Sequence, residues 1–149
     1  PADLHHPQHS RVSGEGIIVC ENRHSLTEED YQAFEELFSS IAVIQPVETS
    51  QLSVAGTLSG CGPAFASMFI EALADGAVKH GLPRAAAYRL ASQMIAGTGK
   101  LQLQTGTHPG AMKDAVCSPG GNTIVGVSVL EEKGFRAAVI DAIDAIESK

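Results

Sequence analysis

The chain has 149 residues, of which 44% are hydrophobic, and its formal net charge is −7, from 10 Lys and Arg against 17 Asp and Glu. The charge forms no basic patch and aromatic residues make up only 5%, which argues against nucleic-acid binding. The longest apolar runs are a few residues, far below the roughly 20 that cross a bilayer, and no signal-like segment follows the N-terminus, so we expect a globular, cytoplasmic protein without a membrane partner.

The first 14 residues are predicted to form a flexible tail. They contain His5, His6 and His9, a composition that can indicate a metal site. Prolines and small polar residues surround these histidines, however, and favour a mobile segment. We therefore predict no metal site in the chain.

The three cysteines, Cys20, Cys61 and Cys117, have no paired spacing. This argues against a disulfide scaffold or a four-cysteine zinc site and fits a reducing compartment. Small, buried thiols are the favoured interpretation. Cys117 is the one candidate for a reactive role, because it precedes a predicted helix start.

Residues 15–47 are predicted to form a strand, a helix and a second strand. The apolar, β-branched run from Gly16 to Cys20 indicates the first strand. Thr27 is a candidate N-cap, followed by three acidic residues that suit a helix N-terminus. The second strand, from Ala42 to Val47, contains Pro46 and should therefore lie at a sheet edge.

From residue 48 onward the pattern is helical, with Gly and Pro between the helices. We expect a short helix near residues 51–57, a break at Ser59–Pro63, and then a longer helix that ends at Gly81. Later helices should span residues 84 to about 104, 108–116, about 122–133 and 135 to the C-terminal region. The predicted apolar faces contain Phe65, Met68, Phe69, Ala72, Leu73 and Gly76; Ala87, Leu90, Ala91, Met94, Ile95 and Thr98; Ile124, Val127 and Leu130; and Phe135, Ala138, Val139, Ala142, Ile143 and Ile146.

Many residues on these faces are Ala or Gly, so the helices can approach closely. Met68, Met94 and Met112 are predicted to fill the core. A small helical set with several apolar faces has more surface to bury than one chain covers. We therefore expect a homodimer through the helical domain, or a higher oligomer.

The segment from His108 to Thr123 is the best candidate for a functional site. Within it, Pro119, Gly120 and Gly121 favour a sharp turn that lets main-chain N–H groups approach a ligand. A helix that opens at Asn122 and Thr123 would present unpaired N–H groups to a carboxylate or phosphate. The alternative is an interhelical turn in which Ser118 or Asn122 only caps the next helix.

No Gly-x-Gly-x-x-Gly fingerprint for a dinucleotide follows a strand in this sequence. The nearest match, Gly60-Cys61-Gly62-Pro63-Ala64-Phe65, ends in Phe and has Pro63 where an amide donor would be useful. It is interpreted as a helix entry. Cofactor-binding residues are therefore unknown from the sequence.

Two runs resemble the C-terminal part of pyrroline-5-carboxylate reductases, from about Glu15 to about Ala142. They are SGCGPAFASMFIEALADGAVKHGLPRAAAYRLA and HPGAMKDAVCSPGGNTIVGVSVLEEKGFRAAV. The Ser-Pro-Gly-Gly-x-Thr string in the second is the signature of that family.

The resemblance implies a mainly α fold. Residues 48–149 would form a helical dimerisation domain of the 6-phosphogluconate dehydrogenase C-terminal-like type. Residues 15–47 would be a remnant of the α/β Rossmann domain. The family uses NADPH or NADH to reduce 1-pyrroline-5-carboxylate to L-proline, and its helical domains intertwine in dimers. This chain alone is expected to be inactive, because it lacks the cofactor fingerprint.

The resemblance also implies roles for the signature residues. Gly121, Asn122 and Thr123 would supply main-chain donors to the substrate carboxylate, with Gly120 shaping the turn and the Ser118 hydroxyl beside them. The Thr123 side chain would bond the ring nitrogen and be the catalytic group. For Lys113 and Asp114 an exposed ion pair or a helix cap is favoured over a role in the site, and His108 is discounted in the same way.

Two other functions stay open at this stage. The chain is alternatively a non-catalytic helical dimerisation module derived from the reductase family. A more distant alternative is a hydroxyacid-type dehydrogenase with a helical C-terminal domain, which the string from Ser118 to Thr123 disfavours.

Overall fold

A computed structural model describes residues 15–22 and 24–149, so the predicted tail and its histidines lie outside the described residues. Six α-helices and two strands are present in this part of the chain. In chain order they are β1 (Gly16–Glu21), α1 (Glu28–Phe38), β2 (Ala42–Val47), α2 (Leu52–Lys79), α3 (Arg84–Thr105), α4 (Pro109–Ala115), α5 (Asn122–Glu132) and α6 (Phe135–Glu147), with a 3₁₀ turn at Thr49–Gln51 before α2. The predicted mainly α fold with a short strand–helix–strand segment is confirmed.

The described chain divides into two compact units. One contains residues 15–64 together with Ala142–Lys149, and the other contains Phe65–Asp141. This division passes through α2 and α6 rather than between residues 47 and 48. The domain boundary expected at that point therefore stays a prediction.

In the first unit, β1 and β2 form a two-stranded parallel sheet. Gly16 pairs with Ala42 at one end of the register and Glu21 with Val47 at the other. Gly16 is needed for this pairing, because a Cβ there would lie 2.9 Å from the Ile41 carbonyl oxygen. The predicted strands and the edge position of β2 are confirmed.

Helix α1 begins as the sequence predicts. The Thr27 side chain accepts a hydrogen bond from the Asp30 amide over 3.2 Å, which satisfies one of the unpaired donors of the first turn. Tyr31 on α1 hydrogen-bonds the Cys20 thiol of β1. Partial burial raises the pKa of that thiol; the Tyr31 hydrogen bond opposes the shift, and the nearby charge of Glu35 adds to it. Cys20 is thus half-buried, whereas a buried thiol was expected.

Helix α2 is continuous, and the predicted break at Ser59–Pro63 is wrong. Pro63 lies inside the helix. Proline removes one intrahelical hydrogen bond, but its fixed φ is close to the helical value, so it does not force the chain out of the helix. The string Gly60-Cys61-Gly62-Pro63 is therefore helix interior rather than helix entry.

In the second unit the buried core consists of small side chains. Ala74, Ala87 and Ala91 are its buried hydrophobic residues, and the Phe69 and Phe135 rings pack with their centroids 5.5 Å apart. Helix α3 ends as predicted at Gly106, which has φ 62°. Met68 and Met94 are 68% and 48% exposed, so the prediction that they fill the core of one chain is wrong. Their helix faces are apolar, and the residues that the structure describes leave these faces exposed.

One helical stretch, Thr49–Lys79, is long and apolar enough to cross a membrane by length and composition. The expectation that apolar segments fall far short of that length is thus wrong for this stretch. Its four-residue spacing of Gly56, Gly60 and Ala64 equally suits close packing of one helix on another.

A hydrogen bond joins α2 to α6 within the first unit. The buried Thr57 hydroxyl donates to a Glu147 carboxylate oxygen over 2.5 Å. We predict that Thr57→Val, which keeps the shape but removes the donor, lowers the free energy of unfolding by about 1 kcal/mol. Denaturant unfolding measures this change.

The matched control is Thr98→Val. The Thr98 hydroxyl donates to the Met94 carbonyl within its own exposed helix over 2.8 Å, and its loss should cost less than about 0.5 kcal/mol. Equal losses for the two variants would show that the Thr57 hydrogen bond does not contribute to stability.

Candidate functional site

Helix α4 leads the chain into the candidate site. His108 is its N-cap, and the His108 Nδ1 accepts a hydrogen bond from the Gly110 amide over 3.0 Å, with Pro109 at the first helical position. His108, which was not favoured as a site residue, thus caps a helix. Pro109 at the first helical position was the sequence signal for a helix start directly after His108.

A β-turn follows α4 and gives the signature its shape. The Gly121 amide donates to the Ser118 carbonyl oxygen over 3.0 Å, and Pro119 and Gly120 occupy the two central positions. Gly120 has φ +69°. Proline at the first central position and a positive φ at the second are typical of a type II turn. The Pro-Gly sequence therefore determines this turn.

Gly121 allows the turn to close tightly. A Cβ at this position would collide with the Ser118 Oγ and lie 3.1 Å from the Ser118 carbonyl oxygen. The Ser118 side chain consequently lies over the Cα of Gly121. The second glycine of the signature is required by this close approach, because its own φ of −76° suits any residue.

Helix α5 begins directly after the turn without a side-chain cap. Gly121 is its N-cap, and no side chain hydrogen-bonds there in this described segment. The first amides of an α-helix have no intrahelical acceptor. The Asn122 and Thr123 amides are therefore the donors that this helix start can offer to an anion. The alternative in which Ser118 or Asn122 caps the helix is not what the structure has.

The arrangement changes one residue role. Gly121 was expected to donate its amide to a ligand, and in this conformation that amide already donates to Ser118. The donors left at the site are the Asn122 and Thr123 amides and the Ser118 and Thr123 hydroxyls. Asn122, Thr123 and Ser118 are all exposed. The structure thus brings together the predicted residues, with Gly121 as a spacer.

Charged residues flank the turn but pair with one another. Lys113 and Asp114 form an exposed ion pair, which agrees with the favoured interpretation. Their hydrogen bond raises the pKa of Lys113 and lowers the pKa of Asp114. The Cys117 thiol is free and half-buried in the described chain. It lies close enough to Lys113 for the two to interact electrostatically.

The described residues do not fit a dinucleotide. A phosphate-binding turn of that kind joins a strand to a helix through closely spaced glycines, whereas Gly60 and Gly62 lie inside the continuous helix α2. The loop from β1 to α1, which spans residues 22–27, contains no glycine. No side chain in the described chain is therefore assigned to a nicotinamide cofactor.

Comparison with known proteins identifies a family for most of the chain. Residues 49–149 match the family model described as pyrroline-5-carboxylate reductase dimerisation. The pyrroline-5-carboxylate reductase of Treponema pallidum is 48% identical over 130 residues, which are 87% of this chain and 49% of that protein. That of Escherichia coli is 63% identical over 86 residues, 58% of this chain and 32% of that protein.

Solved structures give the same result. Plasmodium falciparum pyrroline carboxylate reductase with NADP bound has a TM-score of 0.81 at 31% identity, over 92% of this chain and 55% of that one. The Streptococcus pyogenes enzyme has a TM-score of 0.81 at 28% identity, over 92% and 53%. The chain thus spans about half the length of the T. pallidum protein and of these two structures, and about a third of the E. coli protein.

The contact between Gly121 and Ser118 makes a prediction about the turn. Gly121→Ala forces the Ser118 side chain to rotate away and should lower the free energy of unfolding by roughly 1 to 2 kcal/mol. In a Ser118→Ala background the added methyl group meets no Oγ, and the cost of Gly121→Ala should fall by at least about half. Denaturant unfolding of the wild type, the two single variants and the double variant gives the comparison.

Gly126→Ala is the matched control. A Cβ at Gly126 has nothing within 4 Å, so alanine there should stabilise α5 by about 0.5 to 1 kcal/mol. The tight-turn interpretation fails if Gly121→Ala proves as harmless as this control.

Proposed function

This chain belongs to the pyrroline-5-carboxylate reductase dimerisation family, and on that premise we propose that it supplies the substrate site and subunit interface of an enzyme that reduces 1-pyrroline-5-carboxylate to L-proline. The observation that carries the proposal is the uncapped start of α5, directly after the Ser-Pro-Gly-Gly turn. Its amides suit the carboxylate of a small cyclic imino acid. Such a reductase would act in proline biosynthesis, and the predicted cytoplasmic location accords with that role.

The substrate carboxylate is held by main-chain donors. The Asn122 and Thr123 amides point out of the first turn of α5, where the helix dipole also favours negative charge. The Ser118 hydroxyl lies beside Gly121 and adds a further donor. These groups orient the ring in a fixed position, and a fixed orientation lowers the entropic barrier to reaction.

Thr123 acts on the reacting part of the ring. In the proposal its hydroxyl hydrogen-bonds the ring nitrogen, whose charge changes as the C=N bond is reduced. Little acid–base machinery is needed, because a cyclic imine can already be protonated near neutral pH.

The hydride comes from NADPH or NADH, which supplies it when bound to the complete enzyme. The residues described in this chain do not fit that cofactor. The solved P. falciparum relative has NADP bound and is nearly twice as long as the segment matched here. The proposal therefore places the cofactor on sequence beyond this chain, and the chain alone should be inactive.

The subunit interface is formed by exposed apolar faces of the second unit. Leu90, Met94 and Leu101 follow one another on α3 at helical spacing, and Leu90 is 60% exposed. On α2, Met68, Ala72 and Gly76 share a face, and a Cβ at Gly76 would meet nothing within 4 Å. Apolar faces of this extent are typical of obligate dimers. These faces support a homodimer, or a higher oligomer built from it.

We predict that Thr123→Ala lowers turnover roughly tenfold to a thousandfold in the complete enzyme, because an aligned polar group at the reacting nitrogen is lost. The test enzyme is this chain fused behind the part of the T. pallidum reductase that precedes the matched region. Steady-state reduction of 1-pyrroline-5-carboxylate with NADPH measures turnover.

Two matched variants accompany Thr123→Ala. Asn122→Ala keeps the main-chain amide and should change turnover less than about threefold, while Thr123→Ser keeps the hydroxyl and should restore most of the activity. Wild-type turnover in Thr123→Ala would remove the proposed role of this residue. A folded fusion without any reductase activity would favour the non-catalytic dimerisation module instead.

For the interface, Leu90→Lys should weaken self-association at least about 100-fold, since each of two symmetry-related sites loses a buried leucine and gains a charge. Sedimentation velocity over a concentration series measures the dissociation constant. The control is Leu37→Lys, which changes an exposed leucine on α1 of the first unit. This variant should leave the dimer intact. Equal behaviour of the two variants would contradict the assignment of this face.

A further inference from the structure

Helix α4, which leads into the candidate site, is short. It has 7 residues, Pro109–Ala115, and none of them is buried in the part of the chain that the structure describes. A helix of about two turns is marginal in water unless further contacts support it. At the start of α4 that support is the hydrogen bond from the Gly110 amide to the His108 Nδ1, over 3.0 Å. We therefore expect the order of α4 to depend on the His108 side chain.

Gly110 lets the imidazole of His108 lie close to this helix. A Cβ on Gly110 would be 3.0 Å from the Nδ1 and 3.1 Å from the Cε1 of His108. Gly110 does not have a positive φ, so its backbone conformation does not require glycine, and glycine otherwise weakens a helix. The close approach of the ring is thus the reason that the structure gives for a glycine at this position.

The other end of α4 continues directly into the Ser118 turn. The Cys117 amide donates to the Asp114 carbonyl oxygen of α4 over 3.0 Å, and a three-residue bond of this kind tightens the end of a helix. Ser118 comes next, and its carbonyl oxygen accepts the Gly121 amide hydrogen bond. The hydrogen-bonded backbone of α4 thus reaches the residue directly before the turn. A change in the order of α4 should therefore be passed to the turn.

We infer that His108 is a positioning residue for the carboxylate site at the start of α5. Its side chain holds the first turn of α4, and α4 in turn holds the Ser118 turn that presents the Asn122 and Thr123 amides. His108 acts through the backbone and needs no contact with the substrate. The inference rests on the proposed function for what these amides bind, whereas the effect of His108 on the turn is independent of that function.

A positioning role differs from a purely stabilising one in what happens to the Gly121 amide. A cap that stabilises only α4 leaves the hydrogen bond from Gly121 to Ser118 as it is, so the exchange of this amide with solvent should not change when the cap is lost. If His108 holds the turn, loss of the cap lets the turn open more often, and the Gly121 amide exchanges faster.

The test measures the exchange of the Gly121 amide by NMR and the dissociation constant of L-proline by titration, both on this chain. An imidazole accepts at Nδ1 only when that nitrogen is unprotonated, so the measurements are made at about pH 7.5, where histidine is ordinarily neutral. His108→Ala should speed exchange and weaken proline binding roughly fivefold each, as the loss of a helix N-cap typically does. His108→Asn supplies a strong N-cap and should restore both values to within about twofold.

Two further variants test the ring contact and the specificity of the effect. Gly110→Ala places a Cβ against the imidazole and should speed Gly121 exchange at least about twofold, but it should add nothing in a His108→Ala background. His80→Ala, which changes an exposed histidine after α2, is the control and should change neither measurement by more than about twofold. If His108→Ala fails to fold by circular dichroism, Gly110→Ala decides the outcome.

The two measurements separate this inference from the proposed function. Wild-type exchange of the Gly121 amide in His108→Ala and Gly110→Ala overturns the inference, and so does faster exchange that His108→Asn does not restore. Equal proline affinity in wild type and His108→Ala also overturns it and leaves the proposed function standing. If the wild-type chain does not bind L-proline, the proposed carboxylate site fails, and the exchange of the Gly121 amide alone decides whether His108 holds the turn.

Discussion

One main-chain hydrogen bond, from the Gly121 amide to the Ser118 carbonyl oxygen, organises the candidate site. It closes a turn that needs Pro119 and a positive φ at Gly120, and it brings Gly121 too close to Ser118 for any side chain. The same turn directs the chain straight into α5 without a capping side chain. A helix start left uncapped in this way has first-turn amides without an intrahelical acceptor, which is the feature on which the proposed carboxylate site depends.

The helices expose large apolar side chains and bury mainly small ones. The buried core is made of alanines, and Met68, Leu90 and Met94 lie on exposed faces. Small residues permit close helix packing, but they bury little apolar area per residue. The described helical part thus leaves apolar faces exposed, which agrees with the dimerisation family to which the chain belongs.

Much of this structure could be predicted from local sequence signals. Thr27 followed by acidic residues indicates the start of α1, and Gly106 indicates the end of α3, because these signals depend on nearest neighbours. The Pro-Gly-Gly string likewise predicts the turn and the start of α5. The role proposed for Thr123 comes from the family signature alone, since no local rule assigns a side chain to a ring nitrogen.

The remaining features depend on contacts that local patterns do not contain. Pro63 and the glycines beside it indicate a break, but the helix continues because proline accepts a helical φ. The hydrogen bond of Thr57 joins residues 90 positions apart, and no short motif encodes it. The exposure of the methionines could not be predicted for the same reason. An apolar face on a helix does not indicate whether its own chain or another molecule covers it.

Backbone NMR of this chain during titration with L-proline, a cyclic amino acid that carries the same carboxylate, tests the central claim most directly. We expect the amide resonances of Asn122 and Thr123 to shift in a saturable way. The Gly121 amide should keep the slow hydrogen exchange of a hydrogen-bonded group. Slow exchange at Asn122 and Thr123 without ligand, or no shift at either residue under saturating proline, would contradict the claim that this helix start holds the carboxylate.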